Sequence, residues 1–373
     1  METIDHPLNI LFVYLARPRM SRAEMEKDIT ELWQLVATLG NARVTDLIHQ
    51  QGEEFAATYI GPGKVEEVNF YLKNNPVDII IFNGRMKPSQ KFNLMKLFWT
   101  VRPNIAIWDR VDLILAIFAA HARTTEAKLQ IELAKMESMG PRIYGMGMVL
   151  SRQGGGIGGR GIGETNTELM QRHWKREIKR AHDELAKSAA SRFRQMDHRK
   201  QIGLKTISIV GYTNAGKTSL FNILTHKKHL VENALFATLD STVGEIYMPS
   251  LGGKVLISDT IGFIANLPPS VVEAFKSTLM ESAHADIVLH MIDVSDPLMK
   301  EKIRVVNDIL DQLEILETKE VWVFNKIDAV PIDREKLIAL ARDTPYVFIS
   351  TKTKEGIESL TNDLLPQLIQ GKK

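Results

Sequence analysis

Residues 211 to 218 read Gly-Tyr-Thr-Asn-Ala-Gly-Lys-Thr, and few octapeptides restrict a fold so tightly. A glycine, four residues and then Gly-Lys-Thr form a phosphate-binding loop when a strand precedes them and a helix follows. Both flanks carry the required pattern, with the β-branched run Thr206 to Val210 before and Ser219-Leu220-Phe221-Asn222-Ile223-Leu224 after. The glycines let the backbone wrap a phosphate with successive N–H groups pointing inward, and the helix start adds its positive dipole end. Lys217 is expected to neutralise β- and γ-phosphate charge, and the Thr218 hydroxyl to ligate magnesium.

A lone match of this kind is sometimes a chance glycine turn, so the order of the next motifs decides the matter. Asp259-Thr260-Ile261-Gly262 closes the run Val255 to Ser258. There a carboxylate can hold magnesium through water and a glycine N–H can bind a γ-phosphate. Asn325-Lys326-Ile327-Asp328 closes Val321 to Phe324, and its aspartate can accept from both N1–H and the exocyclic amine of guanine. Adenine offers neither donor in that arrangement. A site left with unpaired polar groups rejects the wrong ligand by roughly 10⁴-fold or more, so GTP is expected over ATP. Ser350-Thr351-Lys352, after Tyr346 to Ile349, can complete the base pocket with N–H groups and a lysine stem. All four motifs follow predicted strands, where open α/β sheets bind ligands.

The rest of the 373 residues must form more than this one domain. Apolar runs at Ile10 to Leu15, Ile79 to Phe82 and Ile105 to Trp108 alternate with helix-patterned segments, the rhythm of a small parallel sheet. From Val111 to Met139 turn residues are scarce, and Leu129, Leu133 and Met136 recur at helical spacing, which predicts one long helix. Glycine then crowds residues 154 to 163 and excludes regular structure there. A second long helix follows, with Trp174, Ile178, Ala181, Leu185, Ala189, Phe193 and Met196 on one stripe. Arg172, Lys175, Arg176, Lys179 and Arg180 lie between them. The expected architecture is α/β: a small parallel-sheet domain over 1–110, an antiparallel helical hairpin over 111–200 with its glycine-rich loop at about 151–165, and a Ras-like P-loop domain over 201–373.

Basic and acidic residues nearly cancel, 47 against 45, so total charge gives no argument for nucleic acid and no DNA partner is expected. The absence of cysteine excludes disulfides and thiolate chemistry and permits a reducing compartment. A cytoplasmic protein is expected on that ground, and a monomer; Leu8 to Ala16 is too short to span a bilayer, so no stable membrane insertion is expected.

Inside and outside the nucleotide domain the sequence resembles the HflX family of translation-factor-related GTPases. The likeness rests on Gly211 to Thr218, on Phe236-Ala237-Thr238-Leu239-Asp240, and on Asp259 to Phe263 followed by Leu267-Pro268. It also rests on Tyr59-Ile-Gly-Pro-Gly-Lys-Val65 and on Ser151-Arg-Gln-Gly-Gly-Gly-Ile-Gly158. The resemblance implies a GTP hydrolase that acts with the large ribosomal subunit and its rRNA in rescuing or splitting stalled ribosomes under stress. It implies Thr238 as the switch threonine that joins Thr218 on magnesium, with Thr242 as the alternative. Phe263 stands where Ras-like enzymes often carry a water-orienting glutamine, so slow intrinsic hydrolysis raised by a partner is expected. Asn214 matches GTPases that use a monovalent cation. Departures are Gly-Lys-Thr-Ser at 216–219, Asn166-Thr167 and Ser241-Thr242-Val243, and the chain stops soon after Leu368, where some relatives continue into a further domain.

Other features weigh less. Gly156 to Gly161 formally fits a dinucleotide fingerprint, but no strand precedes it. Arg152 and Arg160 among the glycines could follow an RNA backbone or belong to a disordered connection, and the resemblance favours rRNA. The basic residues Arg172, Lys175 and Arg176 read either as a solvated helix face or as an rRNA-facing one. Gly61-Pro62-Gly63-Lys64 is expected to be a turn before a helix over Val65 to Leu72, and His226 with His229 lacks a third metal ligand. Two rival functions remain: a GTP-dependent RNA- or ribosome-binding module with little turnover, and a GTPase of an RNA-modifying or membrane-associated complex.

Overall fold

The computed structural model describes residues 7–138, 162–227, 242–264, 271–272, 275, 284–312 and 319–370. The chain divides into two compact units, Met1–Ala120 with Ile131–Asp183, and His121–Gln130 with Glu184–Lys373.

In the first unit, strands β1 (Leu8–Ala16), β2 (Ala42–Gln51), β3 (Ile79–Phe82) and β4 (Ala106–Trp108) alternate with helices α1 (Arg22–Leu39), α2 (Pro62–Asn74), α3 (Pro88–Trp99) and α4 (Arg110–His121). The sheet is parallel throughout in the order β2-β1-β3-β4. β1 is central and covered on both faces, which is why it reads as an apolar run from Ile10 to Leu15. β2 was not legible as a strand because it lies at the edge and, of its ten residues, only Ile48 is buried. Leu11, Val13, Ile80 and Phe82 pack against Val65, Val68 and Leu72 of α2 and Leu94 and Phe98 of α3. The expected turn at Gly61 to Lys64 is instead the first turn of α2, with Gly61 as N-cap and Pro62 at the first helical position. Proline suits that place because its missing N–H has no helical partner there in any case.

The single helix expected from Val111 to Met139 is two, α4 and a helix over residues 125–138 (α5), parted at 122–124. Neither glycine nor proline makes the break. Thr124 does so by capping α5: its hydroxyl accepts from the Ala127 N–H at 3.1 Å and its carbonyl from Lys128 at 3.1 Å. The long helix α6 (Ile162–Gln201) runs antiparallel to α5. Trp174 donates to the Met136 carbonyl in the first unit, and Ser188 and Arg192 reach Glu126 in the second. Ala181 and Leu185 of the expected stripe are buried, whereas Phe193 is 40% exposed. The basic residues between them are exposed.

In the second unit the elements are β5 (Thr206–Gly211), α7 (Lys217–Thr225), β6 (Thr242–Met248), β7 (Gly253–Asp259), β8 (Ile287–Asp293), α8 (Met299–Gln312), β9 (Lys319–Asn325), α9 (Arg334–Ala341), β10 (Tyr346–Phe348) and α10 (Leu365–Gln370). The sheet order is β10-β9-β8-β5-β7-β6, with only β6 antiparallel to its neighbour. Ile207, Ile209, Leu289, Met291, Val321 and Val323 bury one face under Leu220, Phe221 and Leu224 of α7. On the other face Ile292, Trp322 and Phe324 meet Ile303 of α8 and Leu337 of α9. β6 escaped the sequence reading because it too is an edge strand, with Glu245 and Tyr247 exposed between buried Gly244, Ile246 and Met248. Among the described residues no helix is long and apolar enough to cross a membrane.

Replacing the cap that divides α4 from α5, Thr124→Ala, is expected to cost about 1 kcal/mol of stability, with Thr124→Ser nearly neutral. Urea titrations read by circular dichroism measure this, and equal midpoints for the alanine and unsubstituted chains would remove Thr124 as the cause of the break.

Candidate nucleotide site

β5 enters the loop through Gly211, whose φ of 148° suits glycine. A Cβ there would stand 2.5 Å from the Met291 carbonyl oxygen of β8, so no other residue fits without moving the central strands. Asn214 (φ 63°) and Gly216 (φ 98°) are both left-handed, and Gly216 caps α7. The chain thus turns twice within eight residues and delivers the N–H groups of a helix start to the carboxyl end of β5. That end lies at the point where the sheet order reverses, between β5 and β8.

Lys217 is buried and curls back over the loop, donating to the carbonyls of Gly211 at 3.1 Å and Tyr212 at 2.8 Å. Burial pushes its ammonium down to about 8, against a smaller opposing pull from Asp259. Beside it, the Thr218 hydroxyl donates to Asp259 Oδ2 at 2.7 Å. A hydroxyl and a carboxylate oxygen so joined are hard donors of the kind magnesium takes in small number while keeping its waters. Thr260 donates to the Ile209 carbonyl at 2.6 Å and so ties the end of β7 to β5. Gly262 then passes so close to the loop that a Cβ would meet Thr213 Cγ2 at 2.8 Å and Lys217 Nζ at 3.0 Å. Next along, Phe263 pairs in parallel with Tyr212: its N–H donates to Gly211 at 3.1 Å and its carbonyl accepts from Thr213 at 2.8 Å. Its ring is 1% exposed.

The base motifs are fastened to the same loop. Asn325 is fully buried, and its Nδ2 donates to the Ala215 carbonyl at 2.8 Å and to Thr351 Oγ1 at 3.3 Å, while its Oδ1 accepts from the Thr351 N–H at 3.0 Å. Gly216 permits this approach, since a Cβ there would lie 2.3 Å from Asn325 Nδ2. Lys326, left-handed at φ 66°, pairs with Asp293 at 2.7 Å. Ile327 donates its N–H to Ile349, which steers the turn towards β10. The Ser350 hydroxyl donates to Asp328 Oδ1 at 2.6 Å and holds that carboxyl below its ordinary range. Ser350 Oγ in turn accepts from the N–H groups of Lys352 and Thr353 at 3.2 and 3.0 Å. An oriented, ionised carboxylate is therefore linked to the phosphate-binding loop through the motif that Asn325 begins, which suits a ligand with a negatively charged tail and a donor-bearing ring edge.

The fold brings together Gly211 to Thr218, Asp259 to Gly262, Asn325 to Asp328 and Ser350 to Lys352. Phe236, Ala237, Thr238, Leu239 and Asp240 lie outside the described residues, as do Arg152, Arg160 and His229. The alternative switch threonine, Thr242, begins β6 at the edge of the sheet. Arg172, Lys175 and Arg176 sit exposed on α6. One support had no sequence signal: Lys302 of α8 lies 4.5 Å over the Tyr212 ring and pairs with Asp296. Lys302 and Tyr212 are too far apart in the chain for spacing to reveal their contact.

Comparison with known proteins bears on the whole chain. Residues 26–119 match the family described as GTP-binding GTPase N-terminal, 121–199 its middle region, and 206–326 the family described as 50S ribosome-binding GTPase. A GTPase HflX of Caldanaerobacter subterraneus is 41% identical over 94% of this chain and 79% of its own length. The GTPase HflX of Escherichia coli is 34% identical over 92% of this chain and 79% of its own. Among solved structures, a GTP-binding protein from Sulfolobus solfataricus in complex with GDP is 25% identical with a TM-score of 0.50, covering 98% of this chain and 100% of that one.

The depressed Lys217 gives the site a pH signature. Phosphate requires the charged lysine, so above about pH 8 each complex formed must take up a proton, whereas below about pH 7 none is needed. Affinity for GDP is expected to be flat below about pH 7 and to weaken above about pH 8, by at most roughly tenfold per pH unit. Calorimetry in buffers of different ionisation enthalpy counts the protons. Zero uptake at about pH 8.5 would contradict the buried, partly neutral lysine.

Proposed function

This chain belongs to the HflX family of GTPases and is a GTP hydrolase, and from that premise we propose that it works on the large ribosomal subunit, in rescue or splitting of stalled ribosomes. The observation that carries the hydrolase is the joining of phosphate loop and base motifs through Asn325. The ribosomal role draws support from the match of residues 206–326 to a family described as ribosome-binding, and from the exposed cations of α6.

In this reading Lys217 bridges the β- and γ-phosphates, the Gly262 N–H binds the γ-phosphate, and Asp328 selects guanine. Thr218 and Thr238 would hold magnesium, with Thr242 the alternative to Thr238 and Asp259 beside Thr218, and the cation would supply neutralisation of phosphate charge. Water attacks the γ-phosphorus and GDP departs. Phe263 is buried and carries no polar group to orient that water, which supports slow turnover raised by the ribosome. Asn214 supplies one oxygen to a monovalent cation, an assignment that equal hydrolysis rates in potassium and sodium salts would remove. Arg152, Arg160, Arg172, Lys175 and Arg176 face rRNA, and the protein is cytoplasmic and partly ribosome-associated.

Lys217→Ala is expected to abolish guanine-nucleotide binding, and Asp328→Asn to reduce the preference for GDP over ADP by about 10- to 100-fold. Fluorescent-nucleotide titrations read both, and unchanged curves would refute the residue assignments. With a non-hydrolysable GTP analogue the protein should sediment with large ribosomal subunits, and added subunits should accelerate phosphate release. Sedimentation without acceleration would favour a binding module with little turnover, and failure to sediment would favour a GTPase of another complex.

A further inference from the structure

Hydrolysis needs a polar group to aim the attacking water, and Phe263 occupies the place where such a group is expected. Its backbone is pinned to the phosphate loop by two hydrogen bonds and its ring is in the core, so rotating the side chain brings no polar atom forward. Thr213 lies directly across that pairing. It is 5% exposed, and its hydroxyl oxygen is buried and has no hydrogen-bond partner among the described residues. Valine would fill the same volume without leaving a polar atom unpaired, so packing gives no reason for a hydroxyl here.

The surroundings give one. A single point, the Cβ position of Gly262, lies 2.8 Å from Thr213 Cγ2, 3.0 Å from Thr213 Cα and 3.0 Å from Lys217 Nζ. It is the Thr213 methyl that faces the two groups assigned to the γ-phosphate, and a rotation about χ1 exchanges it for the hydroxyl. We propose that the Thr213 hydroxyl is a catalytic group that orients the attacking water against the γ-phosphate, in the place Phe263 cannot fill.

A hydroxyl both donates and accepts, so it can accept from the water while donating to a γ-phosphoryl oxygen. It is no base at neutral pH. The water oxygen forms the new bond to phosphorus as the bond to the β–γ bridging oxygen breaks. That electron pair leaves with GDP, and the water's proton ends on the released phosphate. The inference rests on the assignment of Lys217 and Gly262 to the γ-phosphate, which the Lys217→Ala titration tests separately.

The test is single-turnover GTP hydrolysis by the full chain, run beside GTP and GDP affinities. Thr213→Val keeps the shape and removes the hydroxyl, and Thr213→Ala guards against a steric effect of valine. Both are expected to slow the chemical step by about 10- to 100-fold while leaving both affinities within about threefold. Thr213→Ser should recover most of the rate. Unchanged hydrolysis in the valine and alanine variants would overturn the proposal. So would a loss of GDP affinity that matches the loss of rate, since that makes the hydroxyl a structural part of the loop.

Discussion

The Asn325 side chain is the constraint on which the rest of the site depends. One buried amide joins three segments that lie far apart in the sequence: the phosphate loop at Ala215, the end of β9, and the loop after β10 at Thr351. Because the group is wholly buried, each bond broken leaves a polar group unpaired, at about 1 to 3 kcal/mol. The arrangement makes base recognition and phosphate recognition one mechanical unit. A displacement of the phosphate loop is felt at Thr351, and through Ser350 at Asp328.

Around that unit the sequence yields to geometry at a few positions. Gly211 and Gly216 are left-handed and too close to Met291 and Asn325 for a side chain, and Gly262 is too close to Thr213 and Lys217. These glycines bring the ends of β5, β7 and β9 within reach of one ligand. The same closeness buries Lys217, which depresses its ammonium, and brings Thr213 into the neighbourhood of Lys217 and Gly262. Electrostatic readiness and tight packing thus have a single origin.

The nucleotide domain was legible because β5, β7 and β9 are largely apolar, buried strands that each end in a motif, as at Val210 before Gly211 and Phe324 before Asn325. Edge strands carry a weaker signal. β2 and β6 show half-polar patterns, and they appear as strands only when β1 and β7 are there to pair with them. The division of α4 from α5 rests on one threonine hydroxyl, a cue too small to outweigh the helical pattern on either side. The Lys302 contact with Tyr212 and the burial of the Thr213 hydroxyl depend on chain folding, which spacing does not report.

The central claim is that a phosphate cradle and a guanine-reading carboxylate form one site. Isothermal titration of the unsubstituted chain with GDP, GTP, ADP and ATP at neutral pH tests it most directly. Saturable heat from both guanine nucleotides at one site per chain, with none from the adenine nucleotides at the same concentrations, is the predicted result. No heat from guanine nucleotides, or equal binding of ATP, would contradict the account.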